Sequence, residues 1–211
     1  MRLTVAEILR TKMDAIYYES GRLRGRYLMK DEEVAGIRCR PGSWAWFHAN
    51  GAVSSLELLL DTERDGVRCR ANSRVCFHDN GRLMRCNLSQ DNFVQGVPVR
   101  ADTFLLFYEN GVLSACRLSE NILYRDVSCK EGCWIGFYDD GSLKRCFLAE
   151  DTINSGVMLR QGTWAAFHRN GVIDNYRLTE GAVIQGMKCT EGDILLFDEA
   201  GMISERVRGP V

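Results

Sequence analysis

The phrase Phe-x-x-x-Gly returns every thirty residues along this chain without a slip, at Phe47/Gly51, Phe77/Gly81, Phe107/Gly111, Phe137/Gly141, Phe167/Gly171 and Phe197/Gly201. A degenerate first copy stands at Tyr17/Gly21, so repeats begin near Tyr17, Phe47, Phe77, Phe107, Phe137, Phe167 and Phe197. A fixed period without insertions demands equivalent layers, each covering its apolar face with its neighbours. No linker or change of composition interrupts the array, and only three prolines occur, so residues 1–211 are expected to form a single repeat domain.

One repeat predicts the rest. Residues 162–168 are an apolar, aromatic run of strand length, and Arg169-Asn170-Gly171 follows as a tight turn. Residues 172–178 form a second strand with Ile173, Tyr176 and Leu178 apolar, and residues 184–189 a short third one. The glycine column at 42, 132, 162 and 192 becomes Asn72 and Asp102 in the two repeats that lack it. Asn and Asp best tolerate positive φ, so the column marks a backbone requirement. The column at Gly36, Gly66, Gly96, Gly156 and Gly186, with Asp126, has the same character. Leu9-Arg10 falls in register with Leu159-Arg160, so residues 1–16 are expected to form an edge or cap, and Arg206, Arg208 and Pro210 to blunt the opposite edge.

The expected fold is all-β: seven tandem 30-residue units of three short strands each, stacked as a β-solenoid or an elongated antiparallel β-meander. Unbroken ladders, Leu58, Leu88, Leu118, Leu148 and Leu178 among them, suit a coil with equivalent residues on one face. Runs apolar on both sides of a strand, such as Trp44-Ala45-Trp46-Phe47, suit the meander. In a meander with three strands per repeat, direction would reverse at each repeat and equivalent side chains would alternate faces.

The half-repeats at residues 107–113 and 137–143 carry an aromatic residue, an Asn-Gly or Asp-Gly pair and a following leucine, and resemble the Tyr-x-x-Gly-x-Leu phrase of MORN-type repeats and their bacterial antitoxin-like variants. The likeness covers about seven residues per repeat, and the thirty-residue unit is longer than that family's. The resemblance implies an elongated β-repeat scaffold used for protein or membrane contacts, with no catalytic residue.

Candidate chemistry is sparse. Cys86, Cys116 and Cys146 share one register with Leu56 and Tyr176, while Cys39, Cys69, Cys129 and Cys189 share another with Val99 and Leu159. Positions that accept Cys, Val, Leu or Tyr are apolar core sites, and no Cys-x-x-Cys spacing offers a metal site. The residue after each repeated aromatic forms a second column: Tyr18, His48, His78, Tyr108, Tyr138, His168 and Asp198. Among these, His48, His78, Tyr108, Tyr138 and His168 are the candidate ligand- or partner-binding residues, since a polar-aromatic stripe suits stacking on a sugar, a base or a partner side chain. The structural alternative is a half-exposed flank beside the turn. Carboxylates at Asp61, Asp91, Glu120, Glu150, Asp151 and Glu180 recur at the corners, without the phrase of calcium-binding β-rolls. No nucleophile elbow, phosphate-binding loop or dinucleotide fingerprint is present.

A net charge of -1 gives no electrostatic case for nucleic acid, and no run of 18 apolar residues marks a membrane span. Glu7 interrupts the apolar core that a secretory leader needs, and nine cysteines is an odd count, so a reducing, cytoplasmic setting is expected. The array therefore predicts a non-enzymatic scaffold that binds another protein, without cofactor or metal. The alternative is a small-ligand or carbohydrate module using the Tyr/His column. Exposed sheet edges also allow self-association.

Overall fold

The computed structural model describes residues 14–209, and every regular element within them is a β-strand. The expectations placed on residues 1–13, Pro210 and Val211 lie outside that range. Each repeat holds four strands, as in Ser43–Phe47, Val53–Glu57, Thr62–Arg64 and Val67–Cys69. The first two form a long hairpin in a main sheet. The other two form a small separate hairpin where the sequence suggested one third strand.

The turns explain the difference. In the small hairpin both loop residues have positive φ, as at Asp65 (50°) and Gly66 (76°), which is the signature of a two-residue type I′ loop. The same pair recurs at Ala35/Gly36, Gln95/Gly96, Arg125/Asp126, Ser155/Gly156 and Gln185/Gly186. The repeated Phe-x-x-x-Gly phrase makes a different turn. The Gly51 amide donates to His48 O at 2.9 Å and the His48 amide to Ala52 O at 2.8 Å, closing a three-residue loop. Here Gly51 alone takes positive φ (92°); Asn50 does not.

The long hairpins within each body also contain a bulge. Trp46 pairs with Ser55 while Phe47 pairs with Val53, so Ser54 is an extra residue on its strand. Met84, Lys144, Asp174 and Ser204 take the same place. The extra residue re-phases the pleat, which is why Leu83 and Cys86 are both buried while Met84 and Arg85 between them are exposed.

The described chain divides into two compact bodies: residues up to Gln90 with Ala101–Gly111, and Asp91–Arg100 with residues from Val112 onward. In the first, the main sheet runs Ala15–Tyr17, Leu23–Leu28, Ser43–Phe47, Val53–Glu57, Arg74–Phe77, Leu83–Asn87 and Phe104–Phe107, every neighbour antiparallel. In the second it runs Leu113–Arg117, Trp134–Phe137, Leu143–Phe147, Trp164–Phe167, Ile173–Arg177, Ile194–Phe197 and Ile203–Val207. The stacking is thus an antiparallel meander. Two main-sheet strands per repeat, an even number, restore strand direction, so equivalent side chains return to one face and the leucine ladder forms without a coil.

Small hairpins cap that face. Single bridges join Cys39 to Leu58 and Cys69 to Leu88 in the first body, and Val99 to Leu118 and Cys129 to Leu148 in the second. The core lies between the two layers: Val34, Ile37, Leu56, Leu58, Val67, Val75 and Phe77 are buried in the first body, and Val127, Ile135, Leu148, Val157 and Phe167 in the second. Burying each such side chain stabilises the fold by about 1.5–3 kcal/mol before chain entropy is counted.

Candidate functional site

The Tyr/His column lies at the start of each long-hairpin turn, half buried, with its polar tips turned to the next repeat. His48 Nε2 donates to Phe77 O at 2.9 Å, His78 Nε2 to Phe107 O at 2.9 Å, and His168 Nε2 to Phe197 O at 2.8 Å. The Tyr138 hydroxyl donates to Phe167 O at 3.0 Å, and that of Tyr18 to Phe47 O at 2.8 Å. Carbonyls only accept, so each imidazole carries its proton on Nε2. His and Tyr interchange because both deliver a donor at the same reach. Tyr108 stands in the equivalent position, and its carbonyl accepts the Gly111 amide at 2.8 Å. The Tyr138 ring is flanked by Arg169, 4.6 Å from its centroid, and by Lys144 at 5.2 Å. The column is therefore a set of rivets between repeats.

Asparagine makes a second set. Asn50 Oδ1 accepts the Ala52 amide at 2.9 Å while its Nδ2 donates to Asp79 O, one repeat on, at 2.8 Å. Asn80 and Asn170 reach Glu109 O and Glu199 O in the same way, at 2.9 and 2.8 Å. Asp140 has no amide to donate, and Arg169 of the following repeat supplies the link with Nη1 3.1 Å from Asp140 Oδ2. The Ser142 hydroxyl and amide, with Arg169, hold the Asp140 carboxyl down to about 2. A third set uses the tips of the small hairpins. Asp65, Gln95, Asn154 and Gln185 accept the amides of Leu83, Leu113, Ile173 and Ile203 at 2.7–3.0 Å.

The thiols are placed for packing. All nine cysteines are free, and seven are buried. Burial pushes Cys116 up to about 12, and a hydrogen bond donated to the neighbouring Cys69 or Cys129 sulfur, with burial, raises Cys86 and Cys146 as well. A protonated thiol is neither nucleophile nor metal ligand. Among the described residues no three His, Cys, Asp or Glu side chains gather as a metal site. The corner carboxylates serve the turns: Asp61 accepts the Ala71 amide at 2.8 Å and Asp151 that of Gln161 at 2.7 Å. An open hollow of about 500 Å³ near Asp61 is crossed by the paired charges of Arg70 and Asp102.

One repeated position departs from this pattern of internal satisfaction. The middle residue of the first small-hairpin strand reads Glu33, Glu63, Phe93, Leu123, Ile153 and Val183. In the first body Glu33 and Glu63 face Arg38 and Arg68 across their hairpins, an ordinary solvated pairing. In the second body the four residues are apolar and exposed: Phe93 by 64%, Leu123 by 73%, Ile153 by 69% and Val183 by 72%. Across the hairpin from Ile153, Met158 is exposed as well. The sequence signal for this row is the constant thirty-residue spacing of the four positions.

Comparison with protein-family models and with curated proteins finds no match for this chain.

Proposed function

We propose that the chain is a non-enzymatic β-repeat scaffold whose second body docks a protein along the row Phe93, Leu123, Ile153 and Val183. The observation that carries this reading is the row itself: four consecutive hairpins expose an aliphatic or aromatic side chain where the first two carry glutamate. A repeated row of exposed apolar side chains on a β-repeat suits an interaction site. The rivet geometry supports a structural task for the Tyr/His column, and the row holds the most exposed aliphatic side chains of the second body. The MORN-type likeness and a cytoplasmic setting belong to the same proposal, the latter supported by nine unpaired thiols. Among the described residues no helix is long and apolar enough to cross a membrane.

The test uses the array's own chemistry. Leu123→Glu with Ile153→Glu installs the residue of the first two repeats, so the fold tolerates it. Co-purification of protein partners from the native host should fall at least tenfold in this variant. Retention of the same partners at wild-type yield removes the row from the proposal.

A further inference from the structure

The spacing of the row identifies the kind of partner, an inference that rests on the row being the docking surface. Each repeat adds two strands to the main sheet and carries one small hairpin, so successive apolar side chains stand about 9.6 Å apart, twice the ~4.8 Å strand separation. Four rungs therefore span about 29 Å. Seven residues of α-helix rise about 10.5 Å and complete two turns less about 20°, so every seventh side chain meets the next rung from one face. An extended strand covers the same distance in about three residues, but its side chains alternate, and every second rung would meet the wrong face. A polyproline helix advances about 9.3 Å in three residues on one face, yet it docks in grooves walled by aromatic rings. The row offers three aliphatic side chains and one phenylalanine standing out from their hairpins.

Charge gives the second constraint. Glu120, Glu150 and Glu180 are exposed at the base of the hairpins, each three residues before a rung, and Glu131 and Glu191 are exposed beyond the returning strands. Arg160 compensates part of this by bonding Asp151 and Glu180, Lys130 leans over the Phe147 ring, Lys188 stands across its hairpin from Val183 and Arg125 is exposed two residues from Leu123, so the border is acidic on balance and basic at single points. An acidic border repels an anionic lipid surface and attracts a basic one. We infer that the row receives an amphipathic helix of a partner protein, with apolar residues at heptad spacing and lysine or arginine along the edge that meets the glutamates.

A photoreactive benzophenone side chain placed singly at Phe93, Leu123, Ile153 or Val183 of the full chain, irradiated in the native host, reads both spacing and partner. The expected result is four adducts on one partner segment at successive seven-residue steps. Glu120→Lys with Glu150→Lys should lower their yield about fivefold, as losing two exposed ion pairs implies. Adducts at three-residue steps overturn the helix while leaving a protein scaffold in place. Adducts on lipid or on copies of this chain overturn it as well. Adducts no more abundant than from the same probe at Glu63 sink both the helix and the scaffold reading.

Discussion

His78 and Asn80 stand two residues apart and each holds the next repeat by one hydrogen bond to a carbonyl. His78→Phe keeps the ring and removes the donor, leaving Phe107 O without its side-chain partner, and should cost about 1–2 kcal/mol. His78→Tyr should restore most of that loss, as Tyr18 and Tyr138 already do the same work; urea unfolding measures both. The thiols invite a second measurement. In the native protein, alkylation followed by mass spectrometry should add at most two groups, at Cys76 and Cys133, since the other seven are buried. Asp193 gives the pH dependence. It is 1% exposed, and the Thr190 amide, together with Arg206, holds its carboxyl down to about 2. An unfolded aspartate titrates near ~3.9, so the stabilisation is complete above that value and is lost as pH falls through about 2. The stability gap between wild type and Asp193→Asn should therefore shrink on acidification from about pH 5 to about pH 2.

Within one repeat, the long hairpin was legible in the sequence, whereas of the small one only the corner was, for a physical reason. Phe-x-x-x-Gly showed a turn because glycine alone fits its left-handed corner, although the preceding asparagine turned out to serve by its side chain instead. The corner column at Gly36, Gly66, Gly96, Asp126, Gly156 and Gly186 was read, but one strand was drawn through it, because the residues before that column are Ala, Asp, Gln, Arg, Ser and Gln, not the usual asparagine. Several repay the strain by accepting a backbone amide. Arg125-Asp126 has neither glycine nor asparagine, with φ of 44° and 67°. Replacing the pair by Asn-Gly should raise stability by about 1 kcal/mol, read from the urea midpoint. The exposed row escaped notice because a three-residue strand is too short to display alternation: Ile122-Leu123 and Phe93-Val94 look like core until burial separates them.

Across the molecule, regularity was the most readable property, and strand parity the least. Counting three strands per repeat made the ladders and the hairpins seem incompatible; the observed four, two of them in the main sheet, remove the conflict. Parity also sets what the second body tolerates. Deleting residues 135–164 joins Trp134 to Ala165, the same junction as Trp164 to Ala165, and should leave a cooperatively folding all-β protein by circular dichroism. Deleting half as many residues should abolish cooperative unfolding. The even count has a genetic counterpart. Recombination that gains or drops thirty codons returns the polypeptide facing the way it came, so copy number can drift without refolding the rest, and the exposed apolar row can be lengthened or trimmed one rung at a time by slippage of the gene.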